Sequence, residues 1–472
     1  MRSEDALVGP LRVLYLVHAL PPSEFTGTPL VAYEYAKRAA NRGWKTTVIS
    51  ADPTVTAWGD VREAREEGEW FSRLAVPRTQ PGTWAVLAPS TPRQPDSPAS
   101  RFFVETLRRL GPDLVHVVDN VHLPLDWPEL AAEAGIPIIR TVSSPEDLCA
   151  LIPPVSPLSG PAGFCAAPLT PQTCAACVDA VYGADFPWPV PDAGGEPGRS
   201  DRPAWLLRRL EVKRSRAAIQ FGSVFDRIVF SNRAWRRYFE ETLPLDPGRT
   251  RVIDMGMDLG PWRGAPAKQA KGPGEPVELV LAGSLHPARG QSDAARAFSR
   301  PELVQRDDYR LRFLGGGDPD MVAGLLELNP RVEVVGAYEP ADLPALLSSA
   351  DAGLSTSLFE TFHRVSREYL LAGLPVVANP TFGIDGLVVD GENGLIYDRT
   401  SPDGLARAVC ELLDDRALLE RLTAGAVSTR PSIRSLDDEM AEMAELYKEV
   451  VLAHPRPAAR PRRRWALRAA RR

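Results

Sequence analysis

Two doubly wound α/β domains are the fold class this sequence predicts, on three observations. Short apolar, β-branched runs alternate with helical stretches, as in sheets of parallel strands. The alternation starts again after residue 275. Between the two sets lies GPWRGAPAKQAKGPGEP (260–276), whose Gly, Pro and Lys content marks a linker. The 472 residues suffice for two large cores, and 44% apolar with 25% charged residues is a globular balance. That balance excludes a mostly disordered or collagen-like chain.

In the first set, strands are expected at Val13–Val17, Thr46–Ser50, Leu114–Val118, Ile136–Val142 and Arg227–Ser231. A helix over Pro29–Arg42, stopped by Gly43, joins the first two. The second set is expected at Val277–Ala282, Leu311–Leu314, Val332–Val335, Gly353–Ser355, Pro375–Ala378 and Leu395–Tyr397. Ser435 and Asp438 have capping-box spacing ahead of a last helix. Its Leu436, Met440, Met443, Tyr447 and Val450 form one apolar stripe that suits either domain. The expected division is a first domain to 258 with a Cys- and Pro-rich insertion at about 149–204, a second domain at 275–434, a helix at 435–453 and a tail at 454–472.

The net charge is −6, yet the end RPRRRWALRAARR and the residues just before it are rich in arginine and lack acids. The rest of the chain is therefore strongly acidic, which argues against nucleic acid as a partner. The tail reads as a solvated end or as a peripheral contact with anionic lipid headgroups. No apolar run reaches the roughly 18 residues of a membrane span. The start, with Glu4 and Asp5, suits a first strand better than a secretory leader, and the protein reads as cytoplasmic.

The chemistry concentrates in STSLFETFHRVSREYLLAGLPVVANPTFGIDGLVVDGENGLIYD (355–398). Glu360 and Glu368 stand eight residues apart, which in one helix would separate them by about 80°. With Glu360 in a loop and Glu368 in a helix starting near His363 and ending at Gly373, both line one cleft. The helix start between them suits a diphosphate, and the carboxylates suit sugar and ribose hydroxyls. His18 and His116, on or beside strands, read as core or cleft-edge residues. His363 falls within reach of the sugar position. Gly315–Gly317 lacks dinucleotide-loop spacing and reads as a turn.

Glu-x7-Glu followed by AGLPVVA and GENGL resembles the retaining glycosyltransferases of family 4, whose GT-B architecture sets two Rossmann-like domains across a cleft. The resemblance runs through most of residues 11–450. LRVLYLVHALPPSEFTGTPLVAYEYAKRAANRGWKTTVIS, FDRIVFSN with VIDMGMDL, LVLAGSLHPARG and VVGAYEPADLPALLSSADAGLSTS look like the family's successive segments. It implies that Glu368 binds the nucleotide ribose and that Glu360 contacts the donor sugar. It implies that Thr361 and Phe362 offer backbone N–H groups, and that Arg289 replaces the usual diphosphate lysine. Gly27 and Thr28 would form the first-domain loop beside donor or acceptor.

Two departures from the family pattern stand out. Gly283 is followed by Ser284 where an arginine is usual, leaving Arg289, with His286 or Arg364, to balance the diphosphate. Ser143 and Ser144 stand where many relatives have His-Asp, so Ser143, Glu146 or Asp147 would serve there. The reaction so implied needs no metal and no obligatory protein base, because the departing phosphate takes the acceptor proton. The resemblance thus implies transfer of a hexose from a UDP- or GDP-sugar to a hydroxyl acceptor, such as a lipid-linked saccharide, in glycan or polysaccharide synthesis. The other reading is a non-catalytic nucleotide-sugar-binding subunit of another transferase. A phosphorylase would need a pyridoxal-phosphate lysine, for which no motif is present.

Cys149, Cys165, Cys174 and Cys177 have the spacing C-x15-C-x8-C-x2-C, which suits a structural zinc that would staple the insertion. Buried thiols and disulfides are the alternatives. Cys410 reads as a core residue on a helix.

Overall fold

The computed structural model describes residues 10–24, 27–64, 71–78, 96–151, 165, 169–182 and 202–454, apart from 267, 270, 273, 286 and 318. The arginine-rich end, His286 and most of the insertion lie outside the described residues.

The first sheet comprises β1 (Arg12–Val17), β2 (Lys45–Asp52), β3 (Arg62–Ala64), β4 (Ser72–Pro77), β5 (Leu114–Val117), β6 (Ile138–Val142), β7 (Arg227–Phe230) and β8 (Thr250–Val252). Their order is β3-β4-β2-β1-β5-β6-β7-β8, parallel except for the β3 edge. The chain winds one way from β1 through β2 and the other way from β5. The switch point, where ligands of such sheets bind, therefore lies between β1 and β5. β3, β4 and β8 were not read from the sequence. β3 is three exposed residues, β8 is a three-residue edge strand, and β4 mixes Ser, Arg and Pro with its apolar residues. None carries a long apolar run.

The second sheet comprises β9 (Val277–Ala282), β10 (Tyr309–Leu314), β11 (Val332–Gly336), β12 (Ala352–Ser355), β13 (Val376–Ala378) and β14 (Gly394–Ile396). Its order is β11-β10-β9-β12-β13-β14, all parallel, with the switch point between β9 and β12. Alternate faces are packed by Leu279, Leu281, Phe298 and Leu412 on one side and Val280, Tyr369, Leu370 and Val376 on the other. The central strands β9, β12 and β13 are covered on both faces, which is why they read as largely apolar runs.

The stretch 260–276 is fastened to the second domain. Lys271 Nζ lies 2.5 Å from Asp351 Oδ2, Lys268 pairs with the same carboxylate, and Gln269 N–H donates to Ser348 O at 2.8 Å. The last helix, Leu436–Ala453, starts with the expected capping box and packs on the first domain. Met440, Met443, Tyr447 and Val450 meet Leu11, Val13, Tyr35 and Val48. Tyr447 hydroxyl also lies 2.5 Å from His116 Nδ1, whose Nε2 is 2.7 Å from Thr141 Oγ1, so His116 is a core residue. To reach the first domain, the chain crosses Asp254–Asp258. Met257 N–H donates to Arg434 O and Leu436 N–H to Met257 O. Gly256 is required at this crossing, because a Cβ there would overlap the Ser435 carbonyl. Among the described residues, no helix is long and apolar enough to cross a membrane.

Candidate functional site

The loop after β9 begins at Gly283, whose φ of 124° favours glycine. Gly315 and Gly317 run beside it, bonded through Gly283 N–H to Leu314 O (2.8 Å) and Leu285 N–H to Gly316 O (2.9 Å). A Cβ on Gly315 would overlap Gly283 O, and one on Gly317 would overlap the Leu285 side chain. The three glycines thus extend the β9–β10 pairing in place of the expected turn. They let the Gly283–Ser284 loop lie flat against its neighbour, with Ser284 exposed.

A short turn, Pro287–Arg289, then delivers Arg289. Its backbone is tied to the loop after β12 by Thr356 Oγ1 on Arg289 O (2.7 Å) and Leu358 N–H on Ala288 O (2.9 Å). Gly290 has φ 74° and lies so close to Thr356 that a Cβ would overlap its carbonyl. This close approach brings Arg289 Nη1 onto Glu360 Oε1 as an ion pair.

The helix after that loop spans Arg364–Ala372, and Gly373 ends it in a left-handed cap. Glu368 is 7% exposed and pairs with Arg364 Nε at 3.0 Å. Burial raises its pKa, and Arg364 opposes that rise. Tyr338, which the sequence reading did not single out, lies in the field of Glu368, Arg364 and Arg289. Its only signal in the sequence was its place after β11 in a segment already linked to the site. No acid stands in the first turn of the helix, and Arg364 occupies its first position. Arg289, Arg364 and Glu368 all act on Tyr338, so two guanidinium groups and their two paired carboxylates lie near the start of this helix, the positive end of its dipole. That arrangement suits a compound carrying both an anionic group and several hydroxyls.

His363 is the cap of this helix. It is 2% exposed with φ 54°. Its Nδ1 accepts from Ser366 N–H (3.4 Å), so Nε2 carries the proton and donates to Ser355 Oγ (2.5 Å). Burial, with Arg289 and Arg367 nearby, pushes its pKa down to about 3. The ring is neutral and faces inward. Phe362 lies under Arg367, whose guanidinium carbon is 4.0 Å from the ring centroid, and Arg367 also holds the Phe362 carbonyl and Asp254 (3.1 Å).

On the first-domain side, Ser143 follows β6. Its hydroxyl lies 3.2 Å from Thr28 Oγ1, and its carbonyl accepts from Thr361 Oγ1 at 2.6 Å. Ser143, Thr28 and Thr361 are thus brought together. Gly27 starts its helix, and a Cβ there would meet no atom within 4 Å. Glu146 and Asp147 do not stand in for the missing histidine. Both pair with buried Arg140, and Ser144 bonds Glu146. His18 sits at the switch point, with Nδ1 2.5 Å from Asp119 Oδ2 and Nε2 3.2 Å from Glu24. Burial lowers its pKa, but the two carboxylates outweigh that effect and lift it to about 10.

Among the described residues, no three of His, Cys, Asp and Glu gather to hold a metal ion. Cys149, Cys165 and Cys174 influence one another near Arg214 and Tyr238. Cys177 is buried against Val178 and Leu206. Burial pushes the Cys149 thiol up to about 12. None of the five cysteines is in a disulfide, and Cys410 packs on the second core as expected.

Comparison with known proteins agrees with the two-domain fold. The model of Glycosyltransferase Family 4 matches residues 25–260, and that of Glycosyl transferases group 1 matches residues 276–415. A D-inositol 3-phosphate glycosyltransferase of Thermobispora bispora is 30% identical over 251 residues, 49% of this chain and 58% of that protein. A glycogen synthase of Mycobacterium tuberculosis is 29% identical over 219 residues, 45% of this chain and 50% of that protein. The matches thus span little more than half the length of these curated relatives. Among solved structures, sucrose-phosphate synthase from Thermosynechococcus elongatus superposes with a TM-score of 0.62 at 16% identity, covering 94% of this chain and all of that one. Anabaena Alr3699/HepE in complex with UDP and glucose gives 0.57 at 16% identity, covering 93% and 99%. These likenesses establish a GT-B fold.

Proposed function

The chain belongs to glycosyltransferase family 4, and from that premise we propose that it transfers a hexosyl unit from a nucleotide diphosphate sugar to a hydroxyl acceptor, with retention at the anomeric carbon. The observation that carries this reading is the pairing of Arg289 with Glu360 and of Arg364 with Glu368 around one helix start. A diphosphate entering there meets two guanidinium groups and free N–H donors, which balance its charge without a metal. The carboxylates released from those pairs accept from hydroxyls, Glu360 on the sugar and Glu368 on the ribose. Arg364 makes good the cation that Ser284 lacks.

In the reaction proposed, the acceptor oxygen bonds to the anomeric carbon as the bond from that carbon to the phosphate oxygen breaks. The acceptor proton passes to the departing phosphate. Ser143 orients the first-domain side through Thr28 and Thr361 and takes no proton. The Anabaena neighbour's complex with UDP makes a UDP-sugar the first donor to try, with GDP-sugars next. Phosphorylated polyols, glucans and lipid-linked saccharides are the acceptors to try. A lipid-linked acceptor would give the arginine-rich end a role as a peripheral membrane contact. The absence of a titratable base at Ser143 is the observation that favours a second reading, a non-catalytic nucleotide-sugar-binding subunit.

Thermal shift and nucleotide release, recorded with UDP-, GDP- and ADP-sugars and these acceptors for wild type and Glu368→Ala, test both. A shift with release, both lost in the variant, supports transfer. A shift without release favours the binding subunit. A shift that survives unchanged in Glu368→Ala removes the donor site from this cleft.

A further inference from the structure

The geometry points to Asn232 as a positioning residue that makes the seating of the Glu360 loop conditional on contact between the domains. Asn232 follows β7 and caps the helix Arg233–Glu240, its Oδ1 accepting from Trp235 N–H at 2.8 Å. The same amide turns its Nδ2 to the second domain and donates to Thr361 O at 2.7 Å. Ser231 Oγ donates to that carbonyl at 2.9 Å, and Thr361 Oγ1 donates to Ser143 O. The residue directly after Glu360 therefore has its carbonyl and its hydroxyl engaged by the ends of β6 and β7.

The flanks of the loop are held differently. Leu358 N–H reaches Ala288 O, and Gly383 N–H reaches Glu360 O at 2.9 Å, both within the second domain. Only the middle depends on the first domain. Aromatic packing closes around it. The Trp235 ring lies 5.7 Å from Phe359 and 5.0 Å from Phe382 between centroids, and Tyr238 lies 5.1 Å from Phe382. Trp235 is itself fixed by Nε1–H on Val142 O at 2.9 Å. If the domains part, Thr361 loses all three partners, and the backbone at Glu360 keeps only its second-domain bonds. A donor carboxylate that is in place only in the closed state would couple the donor seat to the domain that presents the acceptor. This consequence rests on the donor role proposed for Glu360. The clamp itself is read without any donor, so the two ideas fail separately.

The test is Asn232→Asp in the full chain. Aspartate is as good a helix cap as asparagine, so the bond from Trp235 remains. The N–H donor is replaced by a carboxylate oxygen facing the Thr361 carbonyl. Hydrogen–deuterium exchange is followed in peptides covering 358–363 and 233–240 from pH 8 to about pH 3, below the ordinary aspartate pKa of about 3.9, each as a ratio to wild type at the same pH. The loop should exchange on the order of tenfold faster at pH 8, the loss of one hydrogen bond, while the helix is unchanged. The ratio should fall toward one at low pH, where the protonated carboxyl regains an O–H donor. A ratio near one at all pH values, an equal rise in helix and loop, or a rise that ignores pH would overturn the proposal. Ser231→Ala, which introduces no charge, should give a smaller rise confined to the loop, and no rise there would also count against the clamp.

Discussion

Replacing Glu439 by glutamine should remove a pH dependence built into the crossing between the domains. Glu439 is 1% exposed on the last helix. One carboxylate oxygen accepts from Tyr35 hydroxyl, and the other accepts from Gly256 N–H at 2.7 Å. Burial raises its pKa from 4.5 to about 7, against the pull of those two bonds and of Arg434, while Asp254 pushes it further up. Arg367 also lies in its field. The folded state therefore binds a proton that the unfolded state releases between pH 4.5 and 7. Stability is full below that window and falls as pH rises through it. Two and a half pKa units at 1.36 kcal/mol each make the loss about 3 kcal/mol. The glutamine side chain would resemble the protonated form of Glu439, accepting from Gly256 N–H and donating to the Tyr35 oxygen. Tyr35 hydroxyl then lacks its acceptor, as it does beside the protonated carboxyl. In urea unfolding followed by tryptophan fluorescence, Glu439→Gln should lie within about 1 kcal/mol of wild type at pH 5 and be about 3 kcal/mol more stable at pH 8.5. A difference that stays constant across that range, or that turns against the variant as pH rises, would refute the reasoning.

Two further substitutions probe the site's scaffold. His363→Asn should cost less than about 1 kcal/mol, because asparagine tolerates left-handed backbone and caps helices, whereas His363→Ala should cost about 2 kcal/mol by losing the bonds to Ser355 and Ser366. Melting temperatures rank the pair, and equal losses would contradict the capping role. Gly290→Ala, with φ 74° and no room beside Thr356, should cost at least about 2 kcal/mol and separate Arg289 from Glu360. The thermal shift produced by a nucleotide sugar should shrink with it.

Much of the second domain was legible because its central strands are buried on both faces. Val277–Ala282 was read with the bounds it has in the structure, and the helix between Glu360 and Gly373 was read from its two ends. Glu360 and Glu368 could be placed in one cleft because both lie within one strand–loop–helix unit, where spacing alone limits geometry. The position of His363 beside Glu360 is visible in the sequence, but its left-handed backbone and its close approach to Gly383, twenty residues on, are not. C-x2-C spacing is equally local, whereas a tetrahedral site needs four sulfurs facing one point, which only tertiary packing supplies.

What the sequence determined by itself is therefore the short-range part: an alternation of strands and helices, the break near 260–276, the capping box at Ser435 and the residues of the Glu-x7-Glu unit. These follow from hydrophobic period, turn chemistry and caps, which act over a few residues. Only the tertiary structure decided that the last helix belongs to the first domain and that Arg364 pairs with Glu368. It also decided that Glu146 and Asp147 are committed to Arg140, and that Asn232 reaches Thr361 across 129 positions of sequence. Such pairings depend on which strand ends and loops the winding brings together. The burial that makes each polar contact count exists only once both sheets and the crossing between them have formed.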